Sequence, residues 1–378
     1  MSPTDPWWKR LEIAVRRGSL RMLGSLVHRD NAMPPDAEFS RARVLFIRQD
    51  RIGDVLVSTP LFAALRSAYP SLIMDMVVST NNAGALAGLP MIGKSWVYTK
   101  RAISTIRMIR DIRRRHYDYV VDLMDNPSVT STILCMLSGA RWTIGLDKEN
   151  GFTYDVRVPL LSRRDVHIVE RLAEILRVFR VDPADMPETI VYEPSVEHRK
   201  SAAESLRKLG VHAKVKVGVN ISAGSESRFW GVDQYRAFVT TLASEHPDWV
   251  SVLLAKPSHA ARARQIAEGI PSAVQCPMVK EFDAFAAMVE HLDFLLTPDT
   301  SIVHLASAFR IPCVVLYVQS NPSLRIWDPY HTPHQAVITA SNDLASIRHD
   351  DVHKAWGRLK AEVGIPAVAR SARGFLPP

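Results

Sequence analysis

Residues 43 to 70 read RVLFIRQDRIGDVLVSTPLFAALRSAYP, and this stretch decides the fold. VLFI (44 to 47) is an apolar run of strand length, and a segment of helical periodicity from 54 to 68 follows it. A short buried strand leading through a glycine turn into a helix is the first half of a βαβ unit. Gly53 allows the tight turn, and Asp54 is placed to cap the helix that follows.

Outward from this unit the alternation continues. IMDMVV (73 to 78), YVVDL (119 to 123) and TIGL (143 to 146) are strand candidates, and 101 to 115 and 164 to 179 are helix candidates. The pattern weakens between Val181 and Ser195, where prolines sit among acidic residues, and a domain boundary is expected there. A second series follows: VKVGVNI (215 to 221), WVSVLLA (249 to 255), FLLT (294 to 297), CVVLY (313 to 317) and AVIT (336 to 339). The expected organisation is an N-terminal helix and linker over 1–40, a Rossmann-like domain over 41–190, a second over 191–340 and a helical tail over 341–378. Two doubly wound α/β domains present the carboxyl ends of their strands to an interdomain cleft, where ligands of such sheets bind.

Composition narrows the class. The chain has 378 residues, 47% of them apolar, enough for two cores. Three scattered cysteines give neither a disulfide framework nor a metal-ligand spacing, which fits a reducing cytoplasm. No apolar run approaches the roughly 20 residues that span a bilayer. The net charge of +8 favours anionic partners. Residues 100 to 115 carry seven basic residues and one acidic one, with Arg107, Arg110 and Arg114 on one helical face. Residues 7 to 27 repeat Trp7, Leu11, Val15, Met22 and Leu26 at helical spacing among Lys9, Arg10, Arg16 and Arg17. That amphipathic pattern serves either a membrane surface or packing against protein.

Three strings carry chemistry. In the first, QDRIGDVLVSTP, a helix start after the first strand offers a carboxylate and free backbone amides toward the strand ends. The second, TPDTSIVHLASAF (297 to 309), places Asp299, Thr300 and Ser301 in a turn before a helix that carries His304, a set suited to a diphosphate. In the third, NISAGSESRFWG (220 to 231), the small residues Ser222, Ala223 and Gly224 permit close approach and Arg228 supplies a permanent cation. None of these is a P-loop or a dinucleotide fingerprint.

Taken in order, the strings resemble glycosyltransferase family 9, the ADP-heptose:lipopolysaccharide heptosyltransferases, over residues 43 to about 340. GDVLVSTP (53 to 60) and DTSIVHLA (299 to 306) carry the resemblance most specifically. The chain departs from the family pattern at Ile221 and Ser222, at Ser301, at Arg228 (usually Lys) and at Ala255, Lys256 and Pro257 (usually Gly-Gly-Pro). The resemblance implies a GT-B architecture and an inverting, metal-independent transfer with no cofactor besides the nucleotide-sugar substrate, ADP-heptose in this family. It implies Asp54 as general base and Ser222, Ala223, Gly224, Arg228, Asp299, Thr300, Ser301 and His304 as donor residues. Arg51, Arg107, Arg110 and Arg114 become candidates for contact with an anionic glycolipid or polysaccharide acceptor. The expected partners are a nucleotide sugar and that acceptor, with the inner-membrane surface and without nucleic acid; the expected place is the cytoplasm, peripherally at the inner membrane. Two other readings keep part of this: the same fold with another sugar or acceptor, and a non-catalytic nucleotide-sugar-binding scaffold.

Overall fold

A computed structural model describes residues 18, 19, 22, 39–319, 321 and 326–364. Gly18, Ser19 and Met22 are helical, and the rest of the amphipathic segment 7 to 27 lies outside the described residues. The chain divides into two compact units, one formed by 1–162 with 166–187, the other by 188–378 with 163–165.

The first unit holds a six-stranded sheet of β1 (Arg43–Ile47), β2 (Ile73–Ser79), β3 (Ser95–Tyr98), β4 (Tyr119–Asp122), β5 (Trp142–Leu146) and β6 (Val156–Val158). Its strand order is β3-β2-β1-β4-β5-β6, and every described pairing is parallel. Val44 lies opposite Tyr119 where β1 meets β4. The second unit repeats the plan with β7 (Lys216–Asn220), β8 (Val250–Leu254), β9 (Ala273–Gln275), β10 (Phe294–Pro298), β11 (Cys313–Val318) and β12 (His334–Thr339), ordered β12-β11-β10-β7-β8-β9. Here Val217 lies opposite Phe294. Both sheets thus follow the doubly wound order in which the first strand is central and the winding reverses beside it. Each unit is therefore Rossmann-like, as the GT-B expectation requires of both.

Inner strands bury both faces, so Val44, Leu45, Phe46 and Ile47 are all inaccessible to solvent or nearly so. In the second unit the helix His349–Val363 places Val352, Ala355, Trp356 and Leu359 on one stripe against the sheet. Trp356 meets Phe294 and Phe238 at ring-centroid distances of 5.3 and 5.4 Å. These residues belong to the core of the second unit.

Two helix expectations need correction. The span 54 to 68 is two helices, Ile52–Leu56 and Thr59–Ala68. Pro60 stands at the start of the second, where its missing N–H costs nothing, whereas inside a continuous helix it would delete a bond. The hydroxyls of Ser58 and Thr59 donate to the carbonyls of Asp54 and Leu56, each at 2.8 Å, and so satisfy the broken end. The span 164 to 179 is a helix only from Ile168 to Ala173, continued by a 3-10 segment Glu174–Phe179. No helix among the described residues is long and apolar enough to cross a membrane.

Candidate active site

In a doubly wound sheet the crevice opens at the carboxyl ends of the two strands that flank the reversal. In the first unit these are β1 and β4, and the residues directly after β1 are Arg48, Gln49, Asp50 and Arg51. Asp54 follows as the third residue of the helix Ile52–Leu56, so it is not the N-cap residue as expected. Its Oδ2 accepts the backbone N–H of Arg51 at 3.0 Å, half of a capping box. Local geometry therefore fixes the carboxylate through a backbone donor, and the side chain keeps only 12% exposure.

Arg48 organises this corner and is fully buried. Its Nε donates to the Asp54 carbonyl at 2.9 Å, one terminal nitrogen lies 3.5 Å from Asp54 Oδ1, and the other donates to the Leu123 carbonyl and lies 3.5 Å from Asp50 Oδ2. Burial and the neighbouring negative charge of Asp54 push the Asp50 carboxyl up to about 6, against the lowering effect of Arg48. One cation thus serves two carboxylates. Sequence reasoning passed over both Arg48 and Asp50; a charged residue directly after a wholly apolar strand run was the available signal.

A second buried set closes the β4 side. Asp122 ends β4 and accepts the hydroxyls of Ser131 at 2.8 Å and Tyr154 at 2.6 Å, the Met124 N–H at 3.0 Å and the Lys148 ammonium at 3.3 Å. Asn150 donates to the Tyr154 hydroxyl at 2.9 Å. The Tyr154 ring lies directly over Gly145 of β5. Burial together with the nearby Asp122 charge raises the Tyr154 phenol far above its ordinary range. Beyond it, Arg171 and Asp125 form a buried ion pair at 2.9 Å. These residues were invisible as a group in the sequence, since they come from four separate segments.

Arg51 is exposed beside Asp54. Arg107, Arg110 and Arg114 are exposed on the helix Ala102–Arg114, and no described polar contact joins them to Asp54. That helix buries Met108 and Ile112, while Ile103 and Ile106 stand 69% and 67% exposed among its arginines.

In the second unit the flanking strands are β7 and β10. Asn220, the last residue of β7, donates to Thr297 Oγ1 at 2.9 Å and Thr300 Oγ1 at 3.2 Å, and its Oδ1 accepts the Ser222 N–H at 3.1 Å. One amide therefore ties the loop after β7 to the turn after β10. Ser222 Oγ accepts the Lys256 N–H at 2.8 Å and touches His259 Nδ1 at 2.9 Å. Burial, then the Arg262 charge, lowers the His259 pKa. Arg228 donates to the Asp299 carbonyl at 3.0 Å and lies 3.2 Å from its Oδ2, with about a third of each side chain exposed. Gly224 is exposed, and a Cβ added there would meet no protein atom. Ala223 and Ser301 are half-buried at the same edge. His304 is buried one turn into the helix Ile302–Ala308, its ring 6.4 Å from that of Trp327. The structure thus gathers the donor candidates Ser222, Arg228, Asp299 and Thr300 at one strand-end, with Asn220 as the tie that sequence reasoning had only quoted.

Comparison with known proteins bears on this arrangement. A family model described as glycosyltransferase family 9 (heptosyltransferase) matches residues 105–356, a segment that begins after the Asp54 string. Lipopolysaccharide heptosyltransferase 3 of Escherichia coli is 23% identical over 277 residues, 70% of this chain and 80% of that protein. The glycosyl transferase family 9 structure from Veillonella parvula superposes with a TM-score of 0.73 at 19% identity, covering 86% of this chain and 99% of that one. The E. coli heptosyltransferase WaaC with ADP-2-deoxy-2-fluoro heptose superposes with a TM-score of 0.67 at 19% identity, covering 84% and 99%. These structural likenesses concern the fold.

Proposed function

The chain belongs to glycosyltransferase family 9, and from that membership we propose an inverting transfer of heptose from ADP-heptose to a lipopolysaccharide core or a similar surface glycan. The observation that carries this reading is that the second unit gathers a cation and hydroxyls, Arg228 and Thr300, at its central strand-ends, while the first unit, taken by itself, holds the carboxylate of Asp54 after its first strand. Asp54 takes the proton from the acceptor hydroxyl as that oxygen attacks the anomeric carbon. The sugar–phosphate bond breaks with its electron pair on the departing diphosphate, where Arg228 and the donors of Ser222, Thr300 and Ser301 balance the charge. Ala223 and Gly224 leave room for close approach, and Asp299 and His304 shape the turn. Arg51 is the acceptor-side cation nearest in sequence to the base.

A nucleotide screen tests the donor assignment. ADP and ADP-heptose should raise the thermal midpoint, because a ligand at a hundred times its Kd adds about 2.7 kcal/mol to apparent stability. Replacement Arg228→Ala should remove most of that shift. A shift with UDP or GDP compounds alone would overturn the adenine assignment, and no shift with any nucleotide would overturn the donor site.

We further propose that the enzyme works at the cytoplasmic face of an anionic membrane that holds its acceptor. Ile103 and Ile106 expose apolar surface one turn apart, flanked by Arg101, Arg107 and Arg110, the pattern of an interfacial helix. Each basic residue near such a surface contributes about 1 kcal/mol. The variant Ile103→Ser/Ile106→Ser should cosediment at least about threefold less with vesicles containing anionic phosphatidylglycerol, given that two side chains lose apolar burial. Unchanged cosedimentation would remove this helix from membrane binding.

A further inference from the structure

The corner after β1 holds more than one base needs. Arg48 is fully buried and lies at 3.5 Å from a carboxylate oxygen of Asp50 and at 3.5 Å from one of Asp54. The other Asp50 oxygen, Oδ1, is buried, and no hydrogen-bond donor among the described residues reaches it. A buried carboxylate oxygen without a donor is costly unless something supplies a proton. Asp50 and Asp54 lie against the two terminal nitrogens of the one Arg48 guanidinium, which brings the carboxylates to the same group. An ionised carboxylate only accepts, so two ionised groups cannot satisfy each other, whereas a singly protonated pair can.

We propose that Asp50 is a positioning residue that acts through Asp54: the proton taken from the acceptor hydroxyl is shared between the two carboxylates, with Arg48 holding both. This rests on the reading of Asp54 as the base. During transfer the acceptor O–H bond breaks, its proton passes to an Asp54 oxygen, and the protonated Asp54 donates to the vacant Oδ1 of Asp50. The acceptor oxygen bonds to the sugar as the bond to the diphosphate breaks, and the pair later releases its proton to solvent. No oxidant or additional reactant enters.

The charged groups acting on Asp50 are Arg48 and Asp54. From the loop after β4 the neighbour is the carbonyl of Leu123, which holds Arg48, and from the segment after β2 it is Asn82, which donates to the Arg48 carbonyl at 2.9 Å. Neither titrates. The acidic limb of the pH–rate profile consequently belongs to the pair and not to either residue. Burial and the neighbouring negative charge of Asp54 push the Asp50 carboxyl up to about 6, so the limb is expected above the ordinary carboxylate range.

The test is the pH dependence of kcat/KM for wild type, Asp50→Asn and Asp50→Glu, with Asp54→Asn alongside. Wild type should lose activity as pH falls through about 6. In Asp50→Asn the limb should move at least about one unit toward acid, because removing a neighbouring negative charge makes proton uptake harder, and kcat should fall about tenfold or more. Asp50→Glu should return the limb toward pH 6. A purely structural role for Asp50 would lower the rate and leave the limb in place, and that result would overturn the proposal. The infrared spectrum of the unsubstituted protein gives a reading that does not depend on the variant folding. A protonated-carboxyl band should grow in with a midpoint near pH 6 and vanish in Asp54→Asn; its absence from wild type would also overturn the proposal. If Asp54→Asn remains active, the base assignment itself has failed. If Asp54→Asn is inactive while the Asp50→Asn limb stays put, only the shared proton has failed.

Discussion

Asp54→Asn should lower kcat about a thousandfold, within the range that a positioned general base contributes, while nucleotide binding changes less than about twofold. The amide has the shape of the carboxylate, so its oxygen can still accept the Arg51 N–H that Asp54 accepts at 3.0 Å. Arg48 loses one ionic partner and retains the Asp54 and Leu123 carbonyls and Asp50. The fold should therefore persist, and what disappears is the capacity to hold the acceptor's proton. Single-turnover transfer and nucleotide-dependent thermal shifts separate the two effects. Transfer within tenfold of wild type would show that another group takes the proton. Loss of nucleotide binding together with transfer would point instead to a general structural defect.

Gly145→Ala should destabilise the first unit by about 3 kcal/mol, the upper range for overpacking a core, and lower its thermal midpoint by roughly 6–12 °C for a unit of this size. A Cβ at Gly145 would stand 2.5 to 2.8 Å from three ring carbons of Tyr154. A flexible side chain could swing aside, but this ring is pinned at its far end by hydrogen bonds to Asp122 at 2.6 Å and Asn150 at 2.9 Å. Displacing it also deprives the buried Asp122 carboxylate of one of its donors, which adds an unsatisfied-charge cost to the steric one. Scanning calorimetry measures the change. A midpoint within about 2 °C of wild type would mean that the backbone of β5 yields where the contacts say it cannot.

What the sequence made legible follows from where each element lies. VLFI, YVVDL, VKVGVNI, WVSVLLA and FLLT became inner strands because a parallel sheet buries both their faces and selects unbroken apolar runs. The strands it missed, Ser95–Tyr98, Val156–Val158 and Ala273–Gln275, are short and lie at sheet edges. Ser95–Tyr98 and Val156–Val158 mix exposed and buried residues and Ala273–Gln275 is half-buried throughout, over three or four positions, too few to show a period. The break at Val57 and Ser58 was hidden because Pro60 is compatible with a helix that starts just before it.

The site was legible in part for a related reason. Asp54, Arg228, Asp299 and Thr300 stood out because each follows a strand and belongs to a compact string. Arg48, Asp50 and the Asp122–Lys148–Tyr154 set matter through contacts between segments distant in sequence, and spacing alone does not reveal such contacts. The assignment of Asp54 as an N-cap failed for a local reason: the cap position falls three residues earlier, at Arg51, so the same carboxylate caps the helix from inside the first turn.

The central position of the first strand in each sheet also sets an order of assembly. β1 needs β4 as a neighbour, with Val44 waiting for Tyr119, and β7 needs β10, with Val217 waiting for Phe294. The chain between them must be made, and its loop closed, before the middle of either sheet can seal. During synthesis the earliest strand of each unit is thus among the last to gain its full set of neighbours, and the unit matures as a late, cooperative event with the slow kinetics of non-local pairing.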